Sequence, residues 1–260
     1  MSTLEKKSIK GLHVVITGGG RGIGAAIAES LDALGAKITL MGRSAETLKT
    51  KCKTLSDAQG ITVDVCNEKS VQNAFSEARA SFGPVDILIN NAGAAYSAPL
   101  HNTDTENWQY MLDVNLTGVF YCCREVVGDM RERNWGRIVN IASIAGLYGA
   151  AYITAYCAAK HGVIGLTRAL ALELARKDIT VNAICPGYTN TELLEGAIDN
   201  IMSKTTLSRD EAENQLKSAS PQHRFIEPEE VAASVAWLCL PGSESITGQS
   251  IPITGGATQA

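Results

Sequence analysis

Short apolar runs alternate along this chain with longer stretches whose apolar residues recur every three or four positions. The runs at 13–19 (HVVITGG), 36–42 (AKITLMG), 61–65 (ITVDV), 85–93 (VDILINNAG), 136–143 (GRIVNIAS), 179–187 (ITVNAICPG) and 248–256 (GQSIPITGG) predict strands. Helices are predicted between them over 24–35, closed by Gly35, over 44–58, and over 67–83 with Asn67 as cap. A long helical region, 103–131, enters through the capping box TDTE, Thr103 to Glu106. Further helices cover 153–175 and 227–240, the last entered through Pro228. After Pro186-Gly187 the pattern changes: residues 190–225 are polar and irregular, with a second capping box from Ser208 to Glu211. Strands that are apolar nearly throughout, alternating with helices, predict an α/β fold: a doubly wound parallel sheet of about seven strands with helices on both faces. No linker, repeat or low-complexity tract divides residues 1–260, so one domain is expected.

Composition narrows the function. The net charge of -4 argues against binding by phosphate neutralisation, so no nucleic-acid partner is expected. The seven cysteines show no repeated CxxC spacing and fall mostly in apolar segments, as reduced buried thiols do; no metal site is expected. The start MSTLEKKSIK is polar, and the apolar run after it is too short for a signal peptide or a membrane span. The expectation is a cytoplasmic protein with no membrane partner.

TGGGRGIG (17–24) joins the first strand to the first helix, with Gly18, Gly22 and Gly24 in a G-x-x-x-G-x-G spacing. Glycines there allow positive φ and let backbone N–H groups approach a pyrophosphate at a helix N-terminus. Tight turns need glycine too; the position after the first buried strand is what favours a dinucleotide site. Arg21 and Ile23 count among its contacts, although Arg21 is equally compatible with packing or solvent. At the end of the second strand Gly42-Arg43-Ser44 offers no acid before Glu46, and Arg43 can bind a ribose 2′-phosphate. NADP(H) is therefore the expected cofactor, with NAD(H) the alternative.

YCAAK (156–160) sets Tyr156 and Lys160 four positions apart, on one helix face with about 6 Å between them. The ammonium would lower the phenol's pKa and make it a usable acid or base near neutral pH. An isolated Y-x-x-x-K is more often a surface lysine beside a half-buried tyrosine, so its company decides. Ser143 ends the fifth strand, where ligands of parallel sheets lie, and its hydroxyl can donate to a carbonyl oxygen. Asn115 is a polar residue in a helical apolar pattern, also readable as a satisfied packing amide. NNAG (90–93) is a small polar cluster at the end of the fourth strand.

Jointly, TGGGRGIG, DV at 64–65, NNAG, Asn115, Ser143, YCAAK and PG at 186–187 resemble the short-chain dehydrogenase/reductase family in its single-domain branch, over nearly the whole chain and in the expected order. The resemblance implies a Rossmann-like fold and hydride transfer between nicotinamide and a ketone or secondary alcohol. It implies that Tyr156 is the proton donor in reduction and the base in oxidation. Lys160 would bind the nicotinamide ribose and lower the Tyr156 pKa, Ser143 polarise the substrate oxygen, and Asn115 hold a water linking Lys160 to solvent. Arg43 and Ser44 would lie at the adenosine ribose and Asp64 and Val65 beside the adenine. Asn91 and Gly93, with Ala92 between them, would lie at the cofactor ribose, and Pro186, Gly187 and Thr189 on the nicotinamide side. A homotetramer is implied, with the long helices at 103–131 and 153–175 in subunit contacts.

The expected substrate pocket draws on Ala95, Tyr96, Ala145, the segment from Tyr148 to Ile153, and Tyr188, under a mobile lid at about 190–225. That lining suits an uncharged ketone or alcohol with a hydrophobic body. AAKHGVIGLTRALALELA with ITVNAICPG is similar to bacterial 3-ketoacyl-thioester, 3-hydroxybutyrate and polyketide ketoreductases, which implies a 3-ketoacyl thioester or related ketone. One alternative is an NAD-dependent alcohol or 3-hydroxy acid dehydrogenase. Another is a dinucleotide-sensing scaffold, against which the intact Asn115, Ser143, Tyr156 and Lys160 set weighs.

Overall fold

The computed structural model describes residues 9–257; the polar stretch read at the N-terminus lies, up to residue 8, outside them. Among the described residues seven strands pair in parallel: β1 (His13–Thr17), β2 (Lys37–Gly42), β3 (Ala58–Thr62), β4 (Ile87–Asn90), β5 (Trp135–Ile141), β6 (Asp178–Pro186) and β7 (Ser250–Ile253). Their order is β3-β2-β1-β4-β5-β6-β7. The chain winds outward from β1, then returns to lay β4 on its other side. The connections after β1 and β4 therefore leave in opposite directions, and a crevice opens beyond the carboxyl ends of these two strands.

Side-chain alternation decides which helices cover which face. Val14, Ile16, Ile38, Leu40, Ile87 and Ile89 pack with α1 (Gly22–Asp32), α2 (Ala45–Cys52) and α9 (Pro228–Cys239). Val15, Met41, Leu88 and Ile138 pack with α3 (Glu68–Phe82), α5 (Gly118–Arg133) and α6 (Thr154–Leu174). The Asn67 cap forms, Asn67 Oδ1 accepting from Ser70 N at 2.9 Å, and Pro228 opens α9 as expected.

Five local expectations are corrected. The third strand lies at 58–62, not 61–65: Ile61, Val63 and Val65 are all buried, but the ladder runs only from Ala58 opposite Ile38 to Thr62 opposite Gly42. The apolar alternation thus outlasts the pairing, and α2 ends at Cys52 instead of 58. β4 stops at Asn90 because Asn91 N and Ala92 N turn to Thr17 Oγ1, each at 3.0 Å. The cap of α4 (Thr105–Leu112) is Asp104, whose Oδ1 accepts from Asn107 N at 2.7 Å, while the Thr103 hydroxyl donates to Pro99 O at 3.3 Å. A charged acceptor wins the helix N-terminus. Last, the stretch called irregular folds as α7 (Glu192–Lys204) and α8 (Arg209–Lys217), whose Leu194, Ile198, Ala212 and Leu216 form a small core of their own. The expected Ser208–Glu211 box caps α8.

Candidate active site

The crevice is built first from glycine. Gly18 and Gly22 adopt φ of 64° and 51°. A Cβ on Gly18 would lie 2.9 Å from Asn91 Nδ2, and one on Gly24 would lie 2.3 Å from Gly18 O. The turn is closed more tightly than any side chain permits, and α1 opens with no side-chain cap on its first N–H groups. Asn91 braces this turn: its Nδ2 donates to Thr17 O at 3.0 Å and Gly18 O at 3.1 Å. Thr17, which the sequence reading did not single out, joins β1 to the 91–92 turn through its hydroxyl; a threonine closing an apolar strand was the available signal.

Around the turn, the expected cofactor residues divide. Ile23 is half-buried, and Arg21 is exposed and paired with Glu192 of α7. Arg43 is exposed and forms no ion pair among the described residues. Ser44 caps α2, accepting from Thr47 N at 3.3 Å, so its hydroxyl is engaged by the fold. Asp64 Oδ1 accepts from Cys66 N at 3.0 Å, and Val65 is buried against Gly118.

Asn115 sits in a π-helical turn, Asp113–Thr117, between α4 and α5, where Gly118 N donates to Asp113 O. Such turns bulge one residue out of the helical register and recur at functional sites. Its fully buried amide donates to Ala94 O at 2.9 Å and Met111 O at 3.1 Å, and Oδ1 accepts from Ala94 N at 3.3 Å. It is therefore a satisfied amide that anchors the chain beside Gly93. A Cβ on the exposed Gly93 would lie 2.8 Å from Asn115 Oδ1 and 3.7 Å from Lys160 Nζ, so both side chains converge beneath it.

Ser143 follows β5, its Oγ accepting from Ala145 N at 3.1 Å and hydrogen-bonding the Tyr156 hydroxyl. Lys160 is buried; its Nζ donates to Ile141 O at 2.9 Å and stands 5.6 Å from the centroid of the Tyr156 ring. Burial pulls the Lys160 ammonium down to about 8. The expected fall in the Tyr156 pKa is corrected: burial pushes the phenol up to about 12, against the Ser143 hydrogen bond. Desolvation of the phenolate outweighs its stabilisation by neighbours.

On the far side, Gly187 N donates to Ile253 O at 2.9 Å after Pro186 ends β6, and Thr189 Oγ1 donates to Gly187 O at 3.1 Å. Of the expected pocket residues, Ala95, Tyr148 and Tyr188 are exposed and Tyr96 and Ile153 half-buried. Ala145 is buried, and its N–H donates to Ser143 Oγ.

Residues 12–201 match the family model described as short chain dehydrogenase. The chain belongs to that family. This short-chain dehydrogenase is 38% identical over 248 residues to a putative ketoacyl reductase of Streptomyces coelicolor, covering 93% of this chain and 95% of the relative. It is 39% identical over 245 residues to an acetoacetyl-CoA reductase of Rhizobium meliloti, covering 93% and 96%. Its structure is similar, with a TM-score of 0.93 at 36% identity and 100% of both chains covered, to the crystal structure of a phenylalanine-to-tryptophan variant of actinorhodin polyketide ketoreductase with NADPH. The short-chain dehydrogenase is an oxidoreductase of the nicotinamide-dependent kind, and its donor set fits such a group. The Lys160 ammonium has three N–H donors and one hydrogen-bond acceptor among the described residues, Ile141 O. The glycine turn and the uncapped start of α1 offer further donors. No helix among the described residues is long and apolar enough to cross a membrane, and no group of three or more His, Cys, Asp and Glu among them could hold a metal.

Proposed function

We propose that this short-chain dehydrogenase is an NADP(H)-dependent ketoreductase acting on a 3-ketoacyl thioester or a related hydrophobic ketone. The observation that carries the reading is the Tyr156 hydroxyl, hydrogen-bonded to Ser143 with the buried Lys160 ammonium behind its ring. With its pKa raised to about 12, the phenol is protonated at neutral pH, the form a proton donor needs. Bound nicotinamide supplies the hydride that reaches the carbonyl carbon. Tyr156 gives its proton to the carbonyl oxygen, and Ser143 donates to that oxygen as charge develops. The phenolate left behind is stabilised by Lys160, whose remaining N–H donors would also hold the cofactor ribose. Asn115 fixes the 93–94 backbone over Lys160. Proton transfer of this kind contributes roughly 10²–10⁴-fold. Arg43, free of ion pairs among the described residues, supports recognition of a 2′-phosphate, as does the NADPH-bound relative. Helices α7 and α8 serve as the substrate lid of a single-domain, cytoplasmic homotetramer.

Steady-state reduction of a ketone panel, followed by loss of cofactor absorbance, tests this. NADPH is expected to be strongly preferred over NADH; the opposite preference would overturn the cofactor assignment. Tyr156→Phe is expected to remove nearly all turnover while NADPH still binds by fluorescence titration. Survival of half the wild-type rate would end the proton-donor role.

A further inference from the structure

Tyr152 stands out in the backbone. Its φ is 70°, a conformation bulky side chains rarely adopt and which persists only when the surroundings impose it. The other described non-glycine residues with positive φ are Asn134, the left-handed C-cap of α5, and His223. The Tyr152 carbonyl is held by Ala98 N at 2.8 Å, which ties the loop before α6 to the loop after β4. The ring gains little burial in return, being 62% exposed. Packing therefore does not explain an aromatic residue at this position.

Three more tyrosines come from loops that leave the same carboxyl edge of the sheet, after the adjacent strands β4, β5 and β6. Tyr148 lies in the same loop and is 48% exposed, Tyr96 lies in the loop tied to it by Ala98, and Tyr188, after β6, is 44% exposed. Residues 91–100, 143–156 and 186–191, the segments bearing these rings, contain no charged side chain. Lys204, at the end of α7, reaches this edge and donates to Ser97 O at 3.4 Å. A polyanionic carrier such as coenzyme A would meet that ammonium and no charge from the three segments themselves. A flat apolar molecule would meet aromatic faces, which bind it by stacking and area burial.

We propose that Tyr152 is a specificity-determining residue, and that with Tyr96, Tyr148 and Tyr188 it forms an uncharged aromatic rim selecting a cyclic or aryl ketone over a coenzyme A thioester. This rests on the ketoreductase reading and narrows its substrate. Three probes separate the classes: β-tetralone, ethyl acetoacetate and acetoacetyl-CoA, each with NADPH and the full chain. The wild type is expected to show kcat/KM for β-tetralone roughly ten-fold or more above that for acetoacetyl-CoA. Tyr152→Gly relieves the backbone, so it is expected to melt no lower than the wild type. It is expected to raise the KM for β-tetralone roughly ten-fold while leaving ethyl acetoacetate nearly unchanged. Tyr152→Phe keeps the ring and is expected to behave as the wild type. Preference for acetoacetyl-CoA, or a Tyr152→Gly effect that is equal on both neutral ketones or absent from both, overturns the proposal alone. If the wild type oxidises NADPH with none of the three probes, the ketoreductase reading fails and takes this one with it.

Discussion

Lys160 carries a charge into a place where water cannot follow. The fall of its pKa from 10.5 to about 8 corresponds to ~3 kcal/mol of burial cost. An unfolded chain keeps this proton to pH 10.5 and the folded chain releases it near 8, so between these values the unfolded state binds more protons. The cost is therefore full below pH 8 and fades as pH rises toward 10.5. Lys160→Met is expected to melt above the wild type at neutral pH, and the gap should narrow between pH 8 and pH 10 in matched thermal scans; a constant gap would contradict the assignment. Tyr156 acts at higher pH with the opposite sign: its folded pKa is raised, so stability present below pH 10 is lost as pH climbs to about 12. The Tyr156–Lys160 spacing was legible as one helix face. Their protonation was not, because it depends on how β5, Gly93 and the Asn115 turn exclude water around them.

At the scale of elements, local chemistry was readable wherever a segment's partner lies nearby in sequence. The Asn67 and Ser208 caps and the Pro228 helix start need only their own turn. The Thr103 box failed because Thr103 had another acceptor, Pro99 O, at hand. The third strand was misplaced because its ends are set by β2 rather than by its own alternation. Residues 190–225 hid two short helices because their few apolar positions, Leu194, Ile198, Ala212 and Leu216, pack on one another. The glycine turn is the element most exposed to test. Gly24→Ala would bring a Cβ to 2.3 Å from the Gly18 carbonyl, which is backbone and has nowhere to retreat. The expected outcome is a lower melting temperature and NADPH affinity reduced by roughly ten-fold or more, read by calorimetry and fluorescence titration. Unchanged affinity would show that the turn does not hold the cofactor.

For the whole molecule, the proposed homotetramer makes a direct prediction. Light scattering should give four times the 27.6 kDa chain mass. Phe120, 43% exposed on α5, is the apolar side chain to disturb, and Phe120→Glu is expected to lower that mass. A monomeric wild type would refute the assembly. The parallel order of the sheet followed from pattern, since apolar strands joined by helices admit few windings. Which helix covers which face became apparent only with the strands paired, when alternate residues of β1 were seen to pack in two separate cores.

The chain's own order of residues determined the α/β class, the glycine turn, the helix bearing Tyr156 and Lys160, and the family, because each is written in local periodicity and short motifs along the chain rather than in contacts between distant segments. Tertiary structure alone decided where β3 and β4 end, how Asn115 is spent, that the phenol is harder rather than easier to ionise, and that Tyr152 is held in a costly conformation with its ring in solvent. These depend on dehydration and on hydrogen bonds between segments far apart in the chain, quantities that do not exist until the sheet has brought its strand ends together.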